Sequence, residues 1–215
     1  MLTLPKTTLV DKRIPKEKFY GNLPVNTAVK RAFVEQIKAI TWRYKLAPVT
    51  MNLVSGKQVT EIEIFEAQLK EGILDEAVLR LIDQGIPYHI LFLLEFDGKY
   101  QAWIAYKEIE KGKVTLRGDS YYRTDWMCYE ALPLALDGLD LDAVYENFVY
   151  QIAGTALQKK EGATLQTSVE RAAQWQNLQQ QVAKLQHKIR KEKQLNVQMK
   201  LNKELKSLKK ALEEM

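Results

Sequence analysis

Two hydrophobic periods divide the first third of the chain into a predicted helix and a predicted strand. After Asn26, a good N-cap, apolar residues recur every three or four positions up to Pro48, which predicts an amphipathic helix. The apolar face of this helix would consist of Val29, Phe33, Ile37, Ile40 and Tyr44. Residues 58–70 instead alternate and are rich in β-branched side chains, which predicts a strand.

The middle of the chain predicts a short helix and then a series of strands. Asp75 caps the helix, and the apolar run at 88–96 is typical of a central strand covered on both faces. Asp97-Gly98 is a strong hairpin signal and leads to a strand at 100–107.

The remainder of this part predicts a turn at Lys111-Gly112, a strand near 113–118, an aromatic and polar loop at 118–130, and a helix capped by Asp140. The loop suits either a recognition surface or an ordinary surface loop that its aromatic residues hold in place. The resulting order of elements is α-β-α-β-β-β-α. It predicts an α+β fold with a small, mainly antiparallel sheet packed with helices.

Four segments follow from this pattern. Residues 1–25 hold three of the six prolines and are expected to be an irregular arm, and 26–158 form the α+β globular domain. Residues 159–164 are the expected linker, and 165–215 the expected basic coiled-coil helix.

The C-terminal segment has the seam of a coiled coil. From Leu165 to Leu212 there is no proline, and apolar residues step by four and three, which buries one seam against a partner helix. The seam is interrupted around Glu192 to Asn196, so the supercoil should re-phase there. The predicted oligomerisation residues are Leu178, Val182, Leu185, Ile189, Leu201, Leu205, Leu208 and Leu212.

Charge separates the two parts of the chain. Residues 165–215 contain 11 Lys+Arg against 5 Asp+Glu, whereas the preceding residues contain 21 against 22. The net charge of +5 therefore belongs to the tail, and the body lacks the general charge of a nucleic-acid-binding domain.

Other features of the composition favour a cytosolic protein without a membrane span or a cofactor. The N-terminus lacks a secretory pattern, and no apolar run is long enough to span a bilayer. The single cysteine, Cys128, rules out an intramolecular disulfide and a multi-cysteine zinc site, and we expect it to be a small buried hydrophobe.

The strand at 58–70 offers the best candidates for catalysis. Gln68-Leu69-Lys70 is similar to the Gln-x-Lys element of metal-dependent nucleases, where the lysine assists the nucleophilic water. Glu61 or Glu66 would supply a metal oxygen. The alternative is an edge strand whose charges prevent aggregation, since so short a motif needs structural context.

Two sets of basic residues are candidates for nucleic-acid contact. Arg43 and Lys45 are interleaved with aromatic residues, but the same pattern also suits the C-terminal turn of a helix. Lys184, Lys188 and Lys191 form one stripe on the tail helix; a second stripe consists of Lys203, Lys206 and Lys210. These stripes suit either phosphate contacts or the solvated face of a coiled coil.

Several segments resemble an uncharacterised bacterial and archaeal family catalogued as domain of unknown function 4391. They are IPKEKFY at 14–20, TEIEIFEAQL at 60–69, IPYHILFLLEFDGKYQAWIAYK at 86–107, YYRTDW at 121–126, AVYENFVYQIAG at 143–154 and IRKEKQLNVQMKLNKELKSLKK at 189–210. The resemblance implies a cytosolic accessory protein encoded beside helicase and DNA-methyltransferase genes of restriction or phage-defence loci. It implies no catalytic residue.

The sequence as a whole predicts a non-enzymatic interaction subunit of a DNA-processing assembly. Its coiled coil would bind a second copy or a helicase- or methyltransferase-type enzyme. A metal-dependent nuclease that uses the 58–70 strand and a DNA-binding adaptor that uses the basic tail are the two alternatives.

Overall fold

A computed structural model describes residues 2–21, 25–110, 113–159 and 162–213 of the chain. They belong to two compact units, Met1–Gln158 and Lys159–Met215. We call the first unit the body and the second the tail.

In the described residues of the body there are six strands and four helices. The strands are β1 (Leu9–Ile14), β2 (Ile37–Leu46), β3 (Ile62–Leu69), β4 (His89–Phe96), β5 (Lys99–Glu110) and β6 (Lys113–Arg123). The helices are α1 (Glu17–Tyr20), α2 (Thr27–Gln36), α3 (Glu76–Gly85) and α4 (Leu141–Ala153).

The six strands form one sheet in chain order, β1-β2-β3-β4-β5-β6. Neighbouring strands are antiparallel except for β3 and β4, which are parallel and are connected through α3. The sheet is therefore mixed but mainly antiparallel, and this part of the fold prediction is confirmed. The hairpin between β4 and β5 turns at Asp97-Gly98, where both residues have positive φ, as a type I′ turn requires.

Helices cover both faces of this sheet. One face packs with α1, α2 and α3 into a core that includes Phe33, Phe65, Leu79, Phe92 and Trp103. The other face presents the alternating positions of β3 and β4, and α4 packs against β5 and β6 with seven buried residues. Side chains from both faces of β4 are thus buried, as the apolar run at 88–96 predicts.

The N-terminal half of the fold differs from the prediction. The segment 1–25 is not irregular, because it contains β1 and α1. The predicted helix from Asn26 to Pro48 ends at Gln36, and β2 follows with no loop between them. The predicted order α-β-α-β-β-β-α is wrong in this region. The physical reason is that β2 is rich in β-branched and aromatic residues and pairs with a strand on each side.

Two further predictions are wrong, and a third falls outside the described residues. The 58–70 strand begins at Ile62 and lies between β2 and β4, so it is not an edge strand. The predicted loop at 118–130 is a strand as far as Arg123, because β6 continues along β5. The predicted turn at Lys111-Gly112 lies outside the described residues.

The tail consists of two helices rather than one. They are α5 (Leu165–Lys191) and α6 (Leu195–Glu213), and they pack against each other. The turn lies in the segment where the apolar seam is interrupted. The Glu192 carboxylate accepts hydrogen bonds from the N–H groups of Lys193 and Gln194, and Gln198 Nε2 donates to the Glu192 carbonyl at 2.8 Å. Of the predicted linker at 159–164, residues 160–161 lie outside the described part.

None of the helices in the described ranges is long and apolar enough to cross a membrane.

Candidate functional site

The apolar seam of the tail is only partly covered by the hairpin. Of the eight predicted oligomerisation residues only Leu201 is buried. The other seven are half-buried: Leu178, Val182, Leu185, Ile189, Leu205, Leu208 and Leu212. In a two-helix hairpin each seam residue has one neighbouring helix, whereas a knob in a multi-helix bundle is enclosed on more sides. The hairpin therefore leaves apolar surface exposed to solvent.

Further apolar residues of the tail are exposed outright. Trp175 is 45% exposed, Leu195 69% and Met199 65%. Trp and Met are enriched at protein interfaces relative to the rest of a protein surface. By helical spacing Trp175 lies beside the seam of α5, whereas Leu195 and Met199 lie on the side of α6 that also carries Lys203 and Lys206.

A groove of about 480 Å³ lies between the two helices of the tail. On α5 it is lined by Gln179, Val182, Ala183 and Gln186, and on α6 by Lys209, Leu212 and Glu213. Because residues late in α6 line it together with the middle of α5, the helices run antiparallel. We call the side of the hairpin that carries this opening the groove face.

The lysine stripes lie away from the groove face. At 100° per residue, Lys184, Lys188 and Lys191 project from the side of α5 opposite to Gln179 and Gln186. Lys203, Lys206 and Lys210 project from α6 away from its seam. All six residues are exposed. The basic charge of the tail is therefore on its outer surfaces.

The candidate catalytic residues of the β3 region have separate partners. Glu61 pairs with Lys45 at 2.7 Å, and Glu66 lies 3.4 Å from the Arg43 guanidinium. Lys70 Nζ instead donates to the Val34 carbonyl at 2.9 Å, so it satisfies the C-terminal end of α2. The structure thus does not bring Lys70 together with the carboxylates.

Gln68, the fourth candidate, also lacks the surroundings of a metal-dependent catalytic site. Gln68 is half-buried and lies opposite Ala39 of β2 and Glu95 of β4 in the sheet. Within the described ranges no group of three or more His, Cys, Asp or Glu side chains is arranged to hold a metal ion.

The candidate nucleic-acid residues of the body are engaged in ion pairs. Arg43 Nη1 donates to Asp11 Oδ1 at 2.5 Å in addition to its contact with Glu66. Lys45 bonds Glu61. A β-bulge between Trp42 and Tyr44 places Arg43 and Lys45 on opposite faces of β2. The two cations therefore do not form one phosphate-binding surface.

The bulge also creates a buried carboxyl pair. Trp42 and Lys45 face the same side as Glu63, whose side chain is on the side of β3 that also holds Phe65. The residue Glu63 is only 3% exposed, and it accepts a hydrogen bond of 2.5 Å from Trp42 Nε1. The neighbouring carboxyl of Glu61 hydrogen-bonds it as well.

Burial raises the pKa of Glu63 to about 8, and the hydrogen bond and charge of Glu61 add to the effect. Glu63 is therefore largely protonated at neutral pH, and its protonated carboxyl can donate a hydrogen bond to Glu61. Its two-residue spacing from Glu61 on one strand face is visible in the sequence. The burial of Glu63 depends on Trp42 of the neighbouring strand β2. The sequence predicted a helix at Trp42, so it did not predict this contact.

A second buried polar cluster lies between β5 and α3. Lys107, with a side chain 1% exposed, donates to Asp83 Oδ1 at 3.2 Å and to the carbonyls of Asp83 and Ile86 at 2.8 Å. Tyr121 donates to the other Asp83 oxygen. Burial raises the pKa of Asp83 and lowers the pKa of Lys107. The cluster ties the end of α3 to the sheet.

His89 lies in the core, where its ring has a hydrogen-bond partner. Its Nε2 is 2.9 Å from the Lys107 carbonyl, and its ring packs edge-on against Tyr145. Burial lowers the pKa of His89 to about 4, so the ring is neutral at pH 7. Each buried side-chain nitrogen or oxygen of the described residues has a hydrogen-bond partner. Cys128, expected to be buried, is exposed.

The polar clusters of the body are thus internally paired, while the tail leaves apolar surface uncovered. In comparison with known proteins, the sequence model of a family described as "Domain of unknown function (DUF4391)" matches residues 2–212. No curated protein and no solved structure matches the chain.

Proposed function

Because the chain belongs to the DUF4391 family, whose description assigns no activity, we propose from its geometry that the protein is a non-enzymatic interaction subunit. It assembles with a protein partner through the tail. The observation that carries this proposal is the seam of α5 and α6, which remains half-buried in the hairpin.

Apolar surface in contact with water is unfavourable in free energy, and a partner that covers this surface would lower that free energy. Burial of apolar surface is worth roughly 25 cal/mol per Å². The seven half-buried seam residues and Trp175 therefore provide a substantial driving force for association. A third or fourth helix packed on the hairpin would enclose these residues as knobs in holes.

The assembly that we propose processes DNA. This part of the proposal comes from the resemblance to a family encoded beside helicase and DNA-methyltransferase genes. The interaction role does not depend on it.

The test is the size of the native assembly. In gel filtration of native cell extract, the untagged chain of 24.9 kDa should elute well above the monomer position. Replacement of Gln179 and Gln186 by Glu should shift it toward that position, since both residues line the groove. Asn177→Glu, which adds one negative charge on the opposite side of α5, is the control. Elution of the wild-type chain as a monomer would contradict the proposal.

One observation favours a second candidate, a DNA-binding adaptor. The six stripe lysines are exposed, and the tail has an excess of six positive charges. Phosphate contacts of this kind give binding that weakens steeply with salt. Charge reversal of Lys184, Lys188 and Lys191 should weaken binding to plain duplex DNA and reduce its salt dependence. The control is Lys57→Glu, an exposed lysine of the body. Equal binding by the two variants would remove this candidate.

A further inference from the structure

One exposed stretch of α5 carries no charge. Residues 172–183 include no Asp, Glu, Lys or Arg over three helical turns, although 27% of the chain is charged. Trp175 lies in this stretch, and nine of its twelve residues are exposed. Solvent-facing helix surfaces normally carry charged residues. A lack of charge around an exposed Trp is instead typical of the centre of a protein interface.

The groove beside this stretch has the same character. Gln179, Val182, Ala183 and Gln186 are uncharged, and Leu212 faces them from α6. The two charged lining residues, Lys209 and Glu213, have opposite signs and lie one helical turn apart.

We infer that a second copy of this chain docks on the groove face, with the groove-side residues of the 172–183 stretch, among them Trp175, Gln179 and Ala183, side by side in the two copies about a twofold axis. This inference rests on the proposed interaction role and names the partner. A partner with charged residues would bury those charges against an uncharged surface, where they would have no opposite charge to pair with. The partner's surface should therefore be uncharged as well. The same stretch of a second copy supplies such a surface, and twofold pairs are the commonest symmetric assemblies.

The charges of the tail fit this arrangement. The six stripe lysines project away from the groove face, so the positive charges of the two copies stay on the outside of the pair. At the rim, twofold symmetry allows Lys209 of each copy to meet Glu213 of the other. Such a reciprocal pair of opposite charges is what a self-complementary surface requires.

The size of the face is sufficient for a reversible dimer. α6 has 19 residues and is therefore about 28 Å long, and two adjacent helices are about 20 Å wide. Pairing of two such faces would bury on the order of 1,100 Å². This value is just above the area of about 1,000 Å² that a specific interface needs.

The test is sedimentation velocity of the purified full-length chain from about 1 to about 100 µM. Wild-type protein should shift from monomer to dimer within this range. The double variant Gln179→Glu, Gln186→Glu should dimerise at least tenfold more weakly, because it places like charges against each other. Asn177→Glu should dimerise as the wild type does. Circular dichroism should show equal helix content in all three proteins.

The other outcomes overturn the inference in different ways. The purified chain could be monomeric at the highest concentration and yet belong to a larger species in native extract. That result would mean that a different protein binds the groove face, so the interaction role would stand and the second copy would be ruled out. A monomer in both samples overturns the interaction role as well. A dimer that resists the double variant, or that Asn177→Glu weakens equally, uses another surface.

Discussion

The buried carboxyl of Glu63 should make the stability of the body depend on pH between about 4.5 and 8. In the folded protein the pKa of Glu63 is about 8, against an ordinary value of 4.5 in the unfolded chain. The folded state therefore holds a proton that the unfolded state releases. The contribution of Glu63 to stability is complete below pH 4.5, declines as pH rises toward 8, and is constant above.

The size of this effect follows from the two pKa values. Each pH unit between them costs about 1.4 kcal/mol of folding free energy. At pH 7 the folded state has lost about 3 kcal/mol from this group relative to pH 4.5. That loss is a large fraction of the 5–15 kcal/mol that is typical of a whole protein.

Glu63→Gln isolates the effect because the amide is neutral at every pH. Its oxygen can accept the hydrogen bond from Trp42 Nε1, and its NH₂ group can donate to Glu61, so the variant mimics the protonated acid. The variant should equal the wild type in stability near pH 4.5. At pH 7 it should be more stable by about 3 kcal/mol.

The assay is urea unfolding of both proteins from about pH 4.5 to about pH 8, with the difference in free energy of unfolding plotted against pH. The exposed Glu71→Gln is the control and should give a flat difference. A flat line for Glu63→Gln, or a variant less stable than the wild type at pH 8, would refute the reasoning.

Three other substitutions test the body and the tail. Lys107→Met should cost about 3–5 kcal/mol in urea unfolding, because it leaves the Asp83 carboxylate buried with no cation; Asp83→Asn in the same protein should recover part of the loss, and an additive second loss would contradict this. Gly56→Ala should lower the melting temperature by an amount equivalent to about 1–3 kcal/mol, since a Cβ there would lie 2.2 Å from Asp142 Oδ1; unchanged melting would show that the loop moves freely. Glu192→Ala should remove the hydrogen bonds to two N–H groups of the tail turn and speed amide exchange in α6; unaltered exchange would show that the turn does not depend on this carboxylate.

The regular parts of the fold are predictable from local pattern. The β4 strand, its Asp97-Gly98 turn and the Asp75 and Asp140 caps follow from residue types that act within a few positions. The β2 strand is different, because Phe33, Ile37, Ile40 and Tyr44 satisfy a helical period across a helix-to-strand junction. Pairing with β1 and β3 decides its conformation, and that pairing is not visible locally.

The candidate site shows the same limit. The seam of the tail and its interruption are visible in the sequence, but the antiparallel return of α6 is not, since a seam does not identify the helix that covers it. Lys70 and Lys107 look like surface cations in the sequence. Their roles at the ends of α2 and α3 arise only when distant segments meet.

The order of the strands in the sheet has a consequence for how the chain folds during synthesis. Each new strand pairs with the strand made just before it. A strand therefore finds its first partner already outside the ribosome and waits only for the next strand on its other side. One long delay is at the β3–β4 step, where α3 must be made before the parallel pair can close. Until then, β3 presents a bare edge to other nascent chains, and its glutamates are the residues that keep this edge from aggregating.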